Sequence, residues 1–142
     1  MISVLVDENT LEINKRGSIT GEIFIRFEDS YFPEPRWNDF VVVILIWWNK
    51  STNLLETSSV GTSVEFNFMD GPFYVRGVKR DNENVSLSFI RRTKVGEEIL
   101  SSLDTDMDSL KKTIIKASKK ILKVLQSKNW LTEDIEQLKK LL

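Results

Sequence analysis

Ile2, Val4 and Val6 alternate with Ser3, Leu5 and Asp7, the period-two pattern of a strand with one buried face. Asp7-Glu8-Asn9 reads as a turn, after which Leu11 and Ile13 resume the alternation. Lys15-Arg16-Gly17-Ser18 is a second turn signal. Ile19, Ile23, Ile25 and Phe27 then alternate with Thr20, Glu22, Phe24 and Arg26, so residues 2–27 predict an antiparallel meander. A second meander begins after Gly61. Val64, Phe66 and Phe68 alternate with Glu65, Asn67 and Met69, and Asp70-Gly71-Pro72 breaks the run. Phe73 to Lys79 continues as a strand, Asp81 to Asn84 is a turn, and Val85, Leu87 and Phe89 alternate with serines.

Between the meanders the period changes. Residues 28–39 hold two prolines among acids and aromatics and read as a loop, with Asp39 placed to N-cap a helix. Phe40, Val43, Ile44, Trp47, Ser51 and Leu54 follow helical spacing, but Val41, Val42, Leu45, Ile46 and Trp48 make the other side apolar too. The β-branched residues favour a buried strand; the pattern's extent, through Leu55, exceeds ordinary strand length and favours a helix. The helix is the preferred reading and the buried strand its alternative.

The last third is helical. Asp104, Thr105 and Asp106 offer N-caps. Met107, Leu110, Ile114, Ala117, Ile121 and Val124 recur at steps of three and four, with Lys112, Lys116, Lys119 and Lys123 opposite. Asn129-Trp130 ends that helix, and Thr132 opens a short final one carrying Ile135, Leu138 and Leu142. The expected fold is α+β: an antiparallel sheet of about six strands in two meanders, a central helix, and C-terminal helices packed on one face, in a single domain spanning 1–142.

Composition narrows the chemistry. The chain has neither cysteine nor histidine, which excludes disulfides, thiolate metal sites, serine–histidine triads and cysteine–histidine dyads. An enzyme would have to run on carboxylates, Lys, Tyr or Ser. Asp39 and Asp70 are the available carboxylate pair, but nothing in the sequence brings them together, and Asp70 before Gly71 is a turn former. The expectation is therefore a non-enzyme with no cofactor and no metal. Met1 to Asp7 lacks the basic region of a signal peptide. The longest apolar run, Phe40 to Trp48, falls short of the roughly 20 residues of a membrane span. A cytoplasmic protein without membrane contact is expected.

Net charge is −1, divided as −4 over residues 1–100 and +3 over residues 101–142. The Lys face of the 106–128 helix lacks the arginines of base readout and the interleaved aromatics of a stacking surface, so a solvated face is preferred to a nucleic-acid site. The richer cluster is the loop. Glu28, Asp29, Glu34 and Asp39 supply charge, and Tyr31 and Trp37 are candidate anchors, a mixture typical of protein-binding hot spots. The competing reading has the acids keep the loop soluble while the aromatics pack inward. Trp47 and Trp48, inside an apolar run, are expected to be buried. Should the loop not be the interface, the outer face of the second meander, around Glu65, Asn67 and Tyr74, is the next choice.

The strings Pro35-Arg36-Trp37-Asn38-Asp39-Phe40, Trp47-Trp48 and Phe68-Met69-Asp70-Gly71-Pro72 resemble small bacterial proteins of toxin-immunity systems. The likeness is to the immunity partner of a wall-associated, contact-delivered tRNA nuclease toxin. It covers roughly residues 30–75, and its residues look like fold markers. The resemblance implies a role, stoichiometric binding of a cognate toxin C-terminal domain with no nucleic-acid, membrane or small-molecule ligand, and it assigns no residues. Readings of other kinds are a regulatory or adaptor module for another protein, a carboxylate enzyme, and a nucleic-acid binder using the Lys helix.

Overall fold

A computed structural model describes residues 1–142. It is α+β, as the periodicities predict, but its strands number eight and divide into two four-stranded antiparallel sheets. The first sheet contains β1 (Ile2–Ile13), β2 (Ile19–Phe27), β3 (Ser30–Phe32) and β4 (Asn38–Asp39), with β2 pairing all three others. A helix, α1 (Val41–Thr57), leads to the second sheet, whose order β5 (Ser63–Asn67), β6 (Phe73–Lys79), β7 (Asn84–Thr93), β8 (Gly96–Asp106) is a plain meander. The helices α2 (Met107–Ser127) and α3 (Glu133–Lys140) complete the chain.

Two differences from the sequence reading have local causes. Asp7-Glu8-Asn9 is not a turn: β1 runs through it, with the register slipping between Asp7 and Glu12. The Thr10 hydroxyl donates to the Asp7 carbonyl (2.6 Å) and accepts from the Glu22 N–H (2.9 Å), so a side chain replaces the ladder bonds the bulge removes. The second difference is β8, which no hydrophobic alternation announced. Its side chains are exposed or half-buried throughout, so backbone pairing to β7, rather than a buried face, holds it as a strand.

The residues at 40–55 form a helix, and the strand alternative is overturned. Asp39 does not cap it; Phe40 holds the N-cap position without a side-chain bond. Val41, Val42, Ile44, Leu45, Ile46, Trp48 and Leu55 are all buried, which leaves Trp47, Lys50, Asn53, Leu54, Glu56 and Thr57 exposed, a face that widens toward the helix C-terminus. Sheets and helices surround α1. It meets β2 of the first sheet, β5 and β6 of the second, and both C-terminal helices. The sheets also touch directly, through Phe27 stacked on Phe89 (4.0 Å between ring centres) and Phe32 set edge-on to Phe73 and Phe89. One core of 32 buried residues results.

Polar groups close the gaps in this core. The Asn49 side-chain amide donates to the Leu45 carbonyl (2.8 Å) and the Ser118 hydroxyl (3.0 Å), tying α1 to α2. α1 has no basic residue in its last turn, yet the buried ammonium of Lys79, delivered by β6, donates to the carbonyls of Glu56 and Ser58, both at 2.8 Å. A cation on the unsatisfied carbonyls at a helix C-terminus is the arrangement the helix dipole favours. Asp106 caps α2 by accepting from the Ser109 N–H (2.8 Å), and Thr132 caps α3. Asn129, with φ of 56°, terminates α2 in the left-handed conformation.

Ile114→Asp should unfold the protein, because an unpaired charge there meets a site 1% exposed; the several kcal/mol involved compare with a typical total of about 5–15. Circular dichroism checks it. Lys79→Met keeps the apolar stem and strands two helix-end carbonyls, so chemical denaturation should report a loss of about 1–3 kcal/mol.

Candidate functional site

The six loop residues separate into two groups. Phe27 and Ser30 pair across a tight turn, which puts Glu28 and Asp29 at the tip of the β2–β3 hairpin. Both are exposed, and Tyr31, on the first residue pair beyond the turn, is 44% exposed with its ring tilted against Phe24 at 5.8 Å. Glu28, Asp29 and Tyr31 line one open hollow with Arg26, Ser3 and Met1, about 370 Å³ in volume. Glu34 is exposed as well, on the connection beyond β3. Glu28 holds φ of 54°, a left-handed conformation that glycine adopts freely and a side chain resists.

Asp39 belongs to the interior, which corrects its placement on a partner surface, and Trp37 packs part of its ring against the same core. Asp39 is 2% exposed. Its Oδ2 accepts from the Trp37 indole N–H (3.0 Å) and from the Asp70 backbone N–H (3.1 Å), and its Oδ1 accepts from the Phe40 N–H (2.7 Å). Three donors converge on one carboxylate, two from its own segment and one from the β5–β6 turn, which fastens the entry of α1 to that turn. Asp39 and Asp70 do come together, but through the backbone of Asp70, so the contact is a structural tie between segments. Trp37 is half-buried, edge-on to Phe73 (5.5 Å) and Phe68 (6.4 Å). The loop reading with inward-packing aromatics thus holds for Trp37, while Tyr31 stays on the surface.

The tryptophan pair also divides. Trp48 is buried, its indole N–H donating to the Asn67 carbonyl at 2.9 Å, whereas Trp47 is 36% exposed. Adjacent residues on a helix point about 100° apart, so one of the two had to leave the core unless α1 were enclosed on every side. Trp47 borders a second open groove with Lys50, Met69 and Arg92.

On the outer face of the second sheet Tyr74 is fully covered. The Arg92 guanidinium lies over its ring at 3.9 Å and pairs with Glu65 at 3.0 Å. The Tyr74 hydroxyl donates to Glu97 and accepts from Arg76 at 2.7 Å, and Arg76 pairs with Glu97 at 2.9 Å. Burial, then the bond to Glu97, pushes the Tyr74 hydroxyl above the ordinary phenol range. The bonds from Tyr74 and Arg76 hold the Glu97 carboxyl below the ordinary carboxylate range. These partners are already engaged with one another, so the face around Glu65, Asn67 and Tyr74 is a closed network. No cluster of His, Cys, Asp or Glu has metal-ligand geometry, and no helix is long and apolar enough to cross a membrane.

Sequence reasoning missed Arg26, Ser3 and Met1 as neighbours of the hairpin tip. Arg26 carries a usable signal, since it sits on the solvent side of β2 in phase with Phe24 and directly opposite Tyr31 in the ladder. No family model, curated protein or solved structure matches the chain.

Asp39→Ala should destabilise the protein by about 3 kcal/mol, one net hydrogen bond for each of three stranded donors; urea unfolding measures it. Trp37→Ala should likewise act on stability first. Glu97→Gln tests the outer network through pH. A carboxylate with a depressed folded pKa adds stability that is present above its unfolded pKa and is lost as pH falls through the folded one. Parental stability should therefore drop on acidification from about pH 5 toward pH 3, and the variant should drop less.

Proposed function

We propose that the chain is an immunity-type inhibitor: it binds a nuclease toxin domain stoichiometrically in the cytoplasm and obstructs its substrate path, with no chemistry of its own. The observation that carries this reading is the β2–β3 hairpin tip. There Glu28 keeps a charged side chain in a backbone conformation suited to glycine, beside Asp29 and the exposed ring of Tyr31. The two-residue turn requires a positive φ at this position, where glycine or asparagine is usual, so the chain keeps a carboxylate at the tip at a small conformational cost.

The chemistry of the partner fits that tip. A nuclease holds RNA through a positive surface, since phosphate neutralisation dominates nucleic-acid affinity. Two carboxylates at a hairpin tip are attracted to such a surface, and a tyrosine beside them supplies contact area at small entropic cost. The resemblance to immunity partners of tRNA nucleases supports the same assignment. A nucleic acid itself would be repelled by this tip.

The test is titration of tRNA cleavage by any nuclease domain that the neighbouring reading frame encodes. Activity should fall linearly to zero at one equivalent, and full activity at several equivalents would sink the reading. Tyr31→Ala should mainly speed dissociation, by about 2 kcal/mol or more if it is a hot spot. Glu28→Lys with Asp29→Lys should mainly slow association, and that defect should shrink as salt rises. Glu28→Gly should raise thermal stability slightly, by less than about 1 kcal/mol, while weakening the complex.

A further inference from the structure

A sheet edge exposes a row of unpaired N–H and C=O groups, and folded proteins normally cover or block it. Two edges here, the 12-residue β1 and the 5-residue β5, are blocked by helix side chains. On β1 the Thr113 hydroxyl accepts from the Val4 N–H (2.8 Å) and the Lys120 ammonium donates to the Val6 carbonyl (3.1 Å), both from α2. On β5 the Trp48 indole donates to the Asn67 carbonyl (2.9 Å) and the Ser51 hydroxyl to the Glu65 carbonyl (2.8 Å), both from α1. The edge of β8, 11 residues long, has neither treatment. It contains no Lys and no Pro, and it exposes Ile99 (59%) and Leu100 (46%). Apart from its carboxylates, its one blunting device is the register slip beside Ile99, which leaves Ser101–Asp106 as a regular stretch.

The phase of that stretch follows from its ladder. The Met107 N–H donates to the Glu83 carbonyl at 2.7 Å, so by antiparallel alternation Ser101, Leu103 and Thr105 turn their peptide groups to β7, and those of Ser102 and Asp104 turn outward. Charge says what could pair there. β8 carries Glu97, Glu98, Asp104 and Asp106 and no cation. Arg76 and Arg91 hold Glu97 and Glu98, but Asp104 accepts from the Ser86 hydroxyl and Asp106 caps α2, and neither forms an ion pair. Arg80 stops at that same Ser86 hydroxyl. A second copy laid antiparallel on β8 would set the four carboxylates of each chain along one seam, where like charges oppose pairing.

We propose that the Ser101–Asp106 edge of β8 is a docking strand for an extended, Lys- or Arg-bearing segment of a different protein, which joins the second sheet as a fifth strand. Main-chain bonds to Ser102 and Asp104 supply affinity, and basic side chains opposite Asp104 and Asp106 supply selectivity. Met1 lines both the hollow at this end of β8 and the hollow at the hairpin tip, so a segment docked here passes beside Glu28 and Asp29.

The experiment titrates the full chain with a short synthetic peptide alternating Lys and Val, followed by amide resonances, and needs no cognate toxin. The Ser102 and Asp104 amides should shift, and those of Glu65 and Asn67 on the blocked edge should not. Asp104→Lys should weaken the peptide on the order of tenfold, reading the charge. Ser102→Pro, which removes an outward N–H and spares the β7 ladder, should abolish binding in a variant whose thermal unfolding is parental. If that variant unfolds, N-methylation of alternate peptide residues of the ligand removes the same bonds from the other side. No shift up to millimolar peptide overturns the proposal. So does equal binding of a peptide with Glu in place of Lys, and so does a dimer of the free chain whose interface is β8.

Discussion

A helix with apolar side chains on nearly every side cannot lie on a surface, and α1 is such a helix. From Val41 to Leu55 only Trp47, Lys50, Asn53 and Leu54 are exposed. The chain therefore has to supply cover in several directions, and it does so with two small sheets and two helices in place of one large sheet with a helical layer. The division into four and four strands follows from this. A single eight-stranded sheet presents one face to α1, whereas two sheets meeting at Phe27 and Phe89 can hold it between them. The buried Asn49–Ser118 bond and the Lys79 ammonium at the C-terminus of α1 then complete polar groups that the same burial would otherwise strand.

The enclosing elements also set the surface. Because α1 and α2 lie along β5 and β1, their side chains reach the free backbone groups of those edges and close them. The meander then ends in β8, at the opposite side of the sheet from β5, with no strand paired to its outer edge. The hairpin tip at Glu28 and Asp29 is similarly placed, projecting beyond the core that Phe27 and Phe32 seal below it. Both open features are acidic, and both stand at the margin of the packed body, where contact with another macromolecule requires no rearrangement of the core. The inhibitor reading and the strand-docking reading share this physical basis while depending on different residues.

Asp39 illustrates how a residue's composition class misleads. In sequence it stands among Glu28, Asp29 and Glu34 as one more loop acid. In three dimensions it is a buried acceptor for Trp37, Phe40 and Asp70. Four loop acids suggest one surface, but a carboxylate is also the strongest local acceptor of backbone N–H groups, and the loop uses one of the four that way. The Pro-Arg-Trp-Asn-Asp and Asp-Gly-Pro strings are joined by the Asp70 N–H to Asp39 bond.

The sequence by itself determined the element types wherever one face is buried: period two over the two ends of β1, over β2 and over β5 to β7, helical spacing over α2, a cap at Thr132 and a choice of caps among Asp104, Thr105 and Asp106, because burial and local hydrogen bonds write regular patterns into residues. It also determined, through the missing histidine and cysteine, which chemistries are unreachable. Tertiary structure alone decided the rest. β8 has no buried face to pattern, so only its pairing with β7 makes it a strand. Which of Trp47 and Trp48 is covered depends on where the second sheet lies. Glu28 and Asp39, alike in sequence, part company because one falls at a hairpin tip and the other beneath a helix entry, and that difference is set by contacts some thirty residues away at Asp70.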